Sequence, residues 1–235
     1  FGPFVNKELK LERLDVAQVM FAPNSRYMIA RTTDTTVPEG RLYVAPLAAL
    51  GRKDIAWRQI ARAADKITDA QLRGDTLYLR TYAGAPRGRV LALALNEPVL
   101  TKAREVVAEP AAGVLQGFAL GRDAIYTEVQ QGFTTRVHRF GPGTFGSGTS
   151  AGGTDVAAGI AGSTFMVADP AHAHADALIA TSTWTEPSRV LIANAQGTTR
   201  DTGLRNNTRP AGTPEIEVSE VLVNSHDGAM VPLAI

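Results

Sequence analysis

The chain has 235 residues, with 24 Lys and Arg against 23 Asp and Glu, no Cys, and 44% hydrophobic residues. A net charge of +1 with both signs dispersed argues against the clustered cationic surface that phosphate binding needs, although it leaves room for local basic patches, so no nucleic-acid partner is expected. The missing Cys excludes disulfides, thiolate nucleophiles and Cys-based zinc sites.

Gly 22 and Pro 13 stay well under the roughly 25–30% that marks low-complexity disorder, and the length suits one large domain or two small ones. No window approaches the roughly 20 apolar residues of a membrane span; the nearest, Val90–Leu95, is cut off by Asn96, Glu97 and Pro98. A soluble chain without a membrane partner is expected, cytoplasmic or periplasmic. Phe1-Gly2-Pro3-Phe4 has neither an initiator Met nor the features of a signal peptide, and reads as part of a longer protein.

Taken in chain order, the predicted elements are strands: short apolar runs bounded by turn chemistry, with little sustained 3.6-residue period. Val16–Ala22 is followed by the turn Pro23-Asn24-Ser25, the strand Arg26–Arg31 (RYMIAR), then Arg41–Ala45 and Trp57–Ala61. The same series follows in Ile67–Leu72, the turn Gly74-Asp75, Thr76–Thr81 (TLYLRT), Arg89–Leu95 and Glu105–Val107. A third series contains Val114–Leu120, AIYTEV from Ala124 and Arg136–Phe140, and a fourth Thr164–Ala168, ALIATS from Ala177 and Arg189–Ala193. Between the last two, Gly141–Gly153 is a Gly, Ser and Thr loop with almost nothing to bury.

The recurrence every 50 residues or so defines units near 14–63, 64–110, 111–160 and 161–215. A period of about 40–50 with three or four strands per unit is the signature of a β-propeller blade. Blades are covered on both sides by their neighbours, which explains continuous apolar runs such as Val90–Leu95 and Val190–Ala193 where a one-faced sheet would alternate. A β-sandwich also has many short strands but does not need the fixed spacing. The expected fold is therefore all-β, a β-propeller of about four consecutive four-stranded blades.

Four segments carry a family resemblance. They are Ser225-His226-Asp227-Gly228-Ala229-Met230-Val231-Pro232-Leu233 within Glu217–Ile235, Thr183-Trp184-Thr185-Glu186-Pro187, Ala85-Pro86-Arg87-Gly88-Arg89-Val90, and Ala56-Trp57-Arg58-Gln59-Ile60. In order and separation they resemble elements of the prolyl oligopeptidase family of serine peptidases (peptidase family S9). The resemblance implies that residues 1–223 are the C-terminal part of a seven-bladed propeller. Residues 224–235 would then pass into an α/β-hydrolase peptidase domain outside this chain. It further implies a parent enzyme, a serine-type prolyl endopeptidase, that hydrolyses short peptides after proline while the propeller excludes folded proteins. The family's nucleophile, acid and base all follow the passage segment, so no catalytic residue, cofactor site or metal site is assigned here. The Gly141–Gly153 loop departs from the family in its length and Gly content. The alternative is a stand-alone propeller that binds a partner and does no catalysis.

Other motifs have simpler readings. Gly148-Thr149-Ser150-Ala151-Gly152 matches the G-x-S-x-G nucleophile elbow, which needs a preceding strand and a following helix. No strand precedes it, and Val156–Ala161 is at best a weak helix, so a Ser150, Asp201, His226 triad is read as a chance match. His172-Ala173-His174 offers two metal ligands without a third and reads as a hairpin loop, while His138 is expected to pair across its blade. The Arg residues opening strands, Arg41, Arg89, Arg136 and Arg189, either line a channel that draws in peptide carboxylates or, more commonly, pair with Asp or Glu between blades or sit on an exposed rim. Trp57 and Trp184 are expected to pack in the core or at blade edges, and Asn206-Asn207-Thr208 matches a glycosylation sequon.

Overall fold

The structure is a computed structural model in which residues 11, 14–141, 153–168, 177–205, 212–214 and 216–235 are described. Ser150, His172, His174 and Asn206-Asn207-Thr208 lie outside the described residues, as does most of the Gly141–Gly153 loop. The described residues form antiparallel strands and three short 3-10 turns, with no α-helix among them. They fall into two compact units, the first running up to Glu109 and the second containing the strands from Pro110 onward.

The first unit holds two four-stranded meanders. One is β1 (Asp15–Met20), β2 (Tyr27–Asp34), β3 (Gly40–Pro46) and β4 (Arg58–Ala61); the other is β5 (Ile67–Arg73), β6 (Thr76–Thr81), β7 (Arg89–Ala94) and β8 (Arg104–Val107). In each sheet the strands pair in chain order. The middle strands carry consecutive buried residues, Met28-Ile29-Ala30 and Leu42-Tyr43-Val44-Ala45 in one sheet and Leu77-Tyr78-Leu79 in the other. Such runs occur where a sheet is covered on both faces. One cluster joins the sheets, Ile29, Leu42, Val44 and Ile60 of the first packing with Ile67, Leu72, Leu77, Leu79 and Leu93 of the second.

Polar stitching reinforces this contact. An Arg31 guanidinium nitrogen donates to the Thr68 carbonyl at 2.7 Å. Asp75, in the β5–β6 turn, accepts from the Arg26 backbone N–H at 2.8 Å and from its guanidinium at 2.6 Å. These bonds to the charged form hold the Asp75 carboxyl below its ordinary range, the backbone donor contributing most.

The second unit runs β9 (Val114–Leu120), β10 (Ile125–Gln131), β11 (Thr134–Phe140), β12 (Thr154–Ala168), β13 (Ala177–Thr183), β14 (Arg189–Ala193) and β15 (Thr199–Asp201), each paired with the next. Here the structure differs from the sequence reading. The segment Val156–Ala161, read as at best a weak helix, is strand, and it supplies the outer strand that the third repeat lacked. Its residues pair with β11 from Arg139↔Thr154 to Thr134↔Ala161, across an irregularity between Thr135 and Val137. From Gly162↔Thr183 to Ala168↔Ala177 the same strand pairs with β13. The unpaired edge of β11 satisfies backbone groups that a Gly-containing isolated helix could not have stabilised by propensity alone.

Gly162 marks the handover. A Cβ there would lie 2.1 Å from the Ser182 carbonyl oxygen, so only Gly permits this approach of β12 to β13. The Thr135 hydroxyl donates to the Gly162 carbonyl at 2.8 Å and pins the crossing point. Around it, Tyr126, Val137 and Val156 pack with Met166, Ala177, Ile179 and Ala193 in a second core.

The final element is a two-stranded hairpin, β16 (Glu220–Asn224) and β17 (Met230–Ala234), in register from Glu220↔Ala234 to Asn224↔Met230. Its turn closes through the Ser225 N–H to the Ala229 carbonyl at 2.8 Å. The Ala229 N–H donates to the Asp227 carboxylate at 3.1 Å, and this bond leads in holding the Asp227 carboxyl below its ordinary range. A turn over Asp227-Gly228 thus joins the two strands, and the segment after it returns alongside β16 as β17. Pro232 does not prevent this, because β17 has an edge where a missing N–H costs no ladder bond.

Candidate functional site

Large aromatic side chains usually end up covered, and Trp184 does not: it is 65% exposed. Expected as a core or blade-edge residue, it stands instead at the tip of the turn joining β13 to β14. The turn is fixed from within. The Thr183 hydroxyl oxygen accepts from the Glu186 N–H at 2.9 Å and from the Thr185 N–H at 3.4 Å, a hydroxyl turn of the kind Ser and Thr favour. Glu186 in turn pairs with Arg189 at 3.1 Å.

Phe133, in the β10–β11 turn, faces Trp184 edge-on, with ring centroids 6.1 Å apart and planes at 79°. Its own backbone is anchored: the Phe133 N–H donates to the Glu220 carboxylate of β16 at 3.0 Å. Gly132 makes room for that carboxylate, since a Cβ there would sit 2.6 Å from both Glu220 oxygens, and its φ of +59° suits Gly. Both rings line a concavity of about 250 Å³, together with Gln130, Gly162, Ser182 and Thr183. A second, shallower depression of about 630 Å³ is formed in the first unit by Ser25, Arg26, Tyr27, Pro46, Leu47 and Ala48.

The four strand-opening Arg residues each meet a carboxylate, three on a strand of the same sheet and Arg189 in the turn that precedes its strand. Arg41 pairs with Asp15, Arg89 with Glu105 at 3.2 Å, Arg136 with Asp155 at 3.9 Å, and Arg189 with Glu186. Pairing was the commoner of the two expectations, although it runs within a sheet and its turns rather than between blades. His138 pairs across the strands with Asp155 at 2.7 Å, as the register His138↔Asp155 requires. Asp201 ends β15, where its carboxylate accepts from the Gly203 N–H at 2.9 Å. His226 sits exposed in the hairpin turn, 3.3 Å from the Ser225 hydroxyl. Trp57 packs, half-buried, against Ala30 and Tyr43 as expected. Among the described residues no three His, Asp or Glu side chains come together as a metal site.

The family model described as the prolyl oligopeptidase N-terminal β-propeller domain matches residues 12–199. The chain belongs to this family. Prolyl oligopeptidase propellers are also what its backbone resembles among solved structures. One, from a study of two prolyl endopeptidases and the role of inter-domain dynamics in their catalysis and specificity, superposes with a TM-score of 0.74 at 18% identity, covering 94% of this chain and 31% of that one. Prolyl oligopeptidase B from Galerina marginata, as apo protein, gives 0.74 at 14% identity over 94% and 31%. The same enzyme bound to a 25mer macrocyclization substrate gives 0.77 at 15% identity over 94% and 30%. This chain therefore spans about a third of the length of the solved proteins it matches. No curated protein matches it.

Proposed function

We propose that this chain is the propeller part of a prolyl oligopeptidase-like serine endopeptidase, limiting what reaches a nucleophile carried by a separate peptidase domain. The observation that carries the reading is the family match over residues 12–199, together with sheets that bury both faces of their middle strands. A covered, rigid stack of blades cannot open to admit a folded protein, whereas an extended short peptide can pass. On this reading the repeat units end near residues 63, 110, 160 and 215, and residues 224–235 lead into the peptidase domain. The change of partners along β12, from Ala161 to Gly162, supports the third of these limits.

The C-terminal hairpin supports the peptidase partner over a stand-alone binding module. Leu222, Val223, Met230, Val231 and Leu233 are all exposed on it, an apolar ribbon of the kind that marks an interaction surface. The test is hydrolysis by the whole protein, peptidase domain included. Short prolyl peptides should be cleaved after proline and a folded protein of the same sequence content left intact. Equal cleavage of folded proteins would remove the gating role, and no cleavage of prolyl peptides would remove the peptidase.

A further inference from the structure

We infer that β12 locks the two halves of the second unit, β9–β11 and β13–β15, into one body that moves and opens as a whole. Its bearing on function rests on the gating reading above: peptide entry does not run between these halves.

In the first unit, the two sheets are joined by a connection outside any strand. Residues 62–66 lead from β4 to β5, with a 3-10 turn at Ala63–Asp65 and Lys66 at a φ of +54°. Torsions in such a stretch absorb a rotation of one sheet against the next without stripping a ladder. β12 offers no such stretch at its handover. Ala161 pairs with Thr134 of β11, and the next residue, Gly162, pairs with Thr183 of β13. The torsions between them are set by hydrogen-bonded partners on both sides, so a rotation there must strip one ladder or the other.

Other contacts cross the same line. The Thr135 hydroxyl of β11 donates to the Gly162 carbonyl at 2.8 Å, and Thr135 is buried, so parting the halves would leave a buried polar group without its partner. The Ser182 carbonyl oxygen and the Thr183 Cα lie 2.1 and 2.8 Å from where a Gly162 Cβ would stand, so β13 sits against the handover and leaves it no room to turn. Phe133, from the β10–β11 turn, meets Trp184, from the β13–β14 turn, in an edge contact that closes the line at one end. Beside these ties Tyr126, Val137 and Val156 pack with Met166, Ala177 and Ile179, apolar surface that water must enter before the halves separate. Opening at this line is therefore coupled to the unfolding of a half rather than available as a smaller, separate motion.

The test is hydrogen exchange of the whole protein, peptidase domain included, read by mass spectrometry at rising denaturant below the unfolding midpoint. Fragments from β10–β11 and from β13–β14 should converge on one opening rate, within about threefold. Thr135→Val deletes only the hydroxyl bond across the line and should speed both sets by the same factor, within about twofold. A flexible Gly-Gly-Ser insert between Ala161 and Gly162 should split the two sets by about tenfold or more. The same insert between Arg62 and Ala63, already outside the ladders, should leave the ratio of β1–β4 to β5–β8 within about threefold of the parent. Independent opening of the two sets in the unmodified protein overturns the proposal, as does acceleration of one set alone by Thr135→Val. So does an insert after Ala161 that leaves the sets together; where that insert does not fold, the unmodified protein and Thr135→Val decide the matter. Exchange is read without substrate, so a protein that fails to cleave prolyl peptides sinks the peptidase reading and leaves the exchange pattern standing. Separately opening halves in a protein that does cleave them sink this proposal alone.

Discussion

The middle strands of the first unit and the C-terminal hairpin are written in the same residues and meet opposite fates. Leu77-Tyr78-Leu79 on β6 is buried, with Leu79 at 0% exposure, whereas Leu222 on β16 is 58% exposed. The difference is the number of neighbours. β6 lies between β5 and β7 in a sheet whose face packs against another sheet, while β16 has only β17 beside it. A two-stranded ribbon cannot cover its own faces, and its apolar residues stay available to something else. Apolar pattern specifies a strand; only a second layer specifies a core.

The comparison is broken most directly by truncating each side. Leu79→Ala should cost about 2–5 kcal/mol, the range for a large aliphatic side chain lost from a packed core, and lower the melting temperature of its unit by several degrees or more. Leu222→Ala should stay within about 0.5 kcal/mol in this chain. Comparable losses in thermal scans would mean that the hairpin is covered as fully as the sheets.

The attachment of the hairpin to the second unit gives the next largest effect. Gly132→Ala puts a Cβ into the Glu220 carboxylate and imposes a left-handed backbone on an L-residue, for about 1–2 kcal/mol from the backbone alone. Hydrogen exchange should show faster opening of β16 and β17 in this variant, with β5–β8 untouched; uniform acceleration would contradict a local tie. Thr183→Val is smaller. It deletes the acceptor for the Thr185 and Glu186 N–H groups, at about 1 kcal/mol, and should alter Trp184 emission without unfolding the sheet. Emission identical to that of the parent chain would show that the turn holds without the hydroxyl.

Much of this architecture is readable from the chain. Val114–Leu120 and Arg189–Ala193 coincide with β9 and β14 residue for residue, because each is a short apolar run flanked by Gly, Pro or polar turns. β12 was not readable as one strand. Gly159 and Gly162 look like breakers locally, and what makes Gly162 tolerable is the Ser182 carbonyl, which approaches from a strand twenty residues on. β17 was hidden by Pro232, which is harmless only on an edge. The aromatic site was missed for a similar reason. A Trp suggests burial until one knows that Thr183 bonds fix its turn outward and that Phe133, fifty residues earlier, stands opposite. The available signal was the Thr immediately before Trp184, since a Thr hydroxyl can bond the backbone two residues on and so close a turn.

The smallest expected effect concerns acid. The Arg26 backbone N–H, and after it the guanidinium, favour the charged form of Asp75, so its folded carboxyl titrates below the ordinary value near 3.9. A lowered folded value means that the stabilisation is complete above the unfolded carboxyl's titration and is lost as pH falls through the lowered one. The Arg26 guanidinium, raised by the same partner, stays charged throughout. Because Arg26 is largely open to water, salt should erode the contribution further. Asp75→Asn should therefore leave the first unit nearly as stable as before at neutral pH in high salt and flatten the acid limb of its melting curve against pH. If Asp75→Asn instead destabilised the unit at neutral pH as severely as Leu79→Ala, the pair would be holding the two sheets together, and burial of Ile29, Leu42 and Leu79 would not be enough to do so.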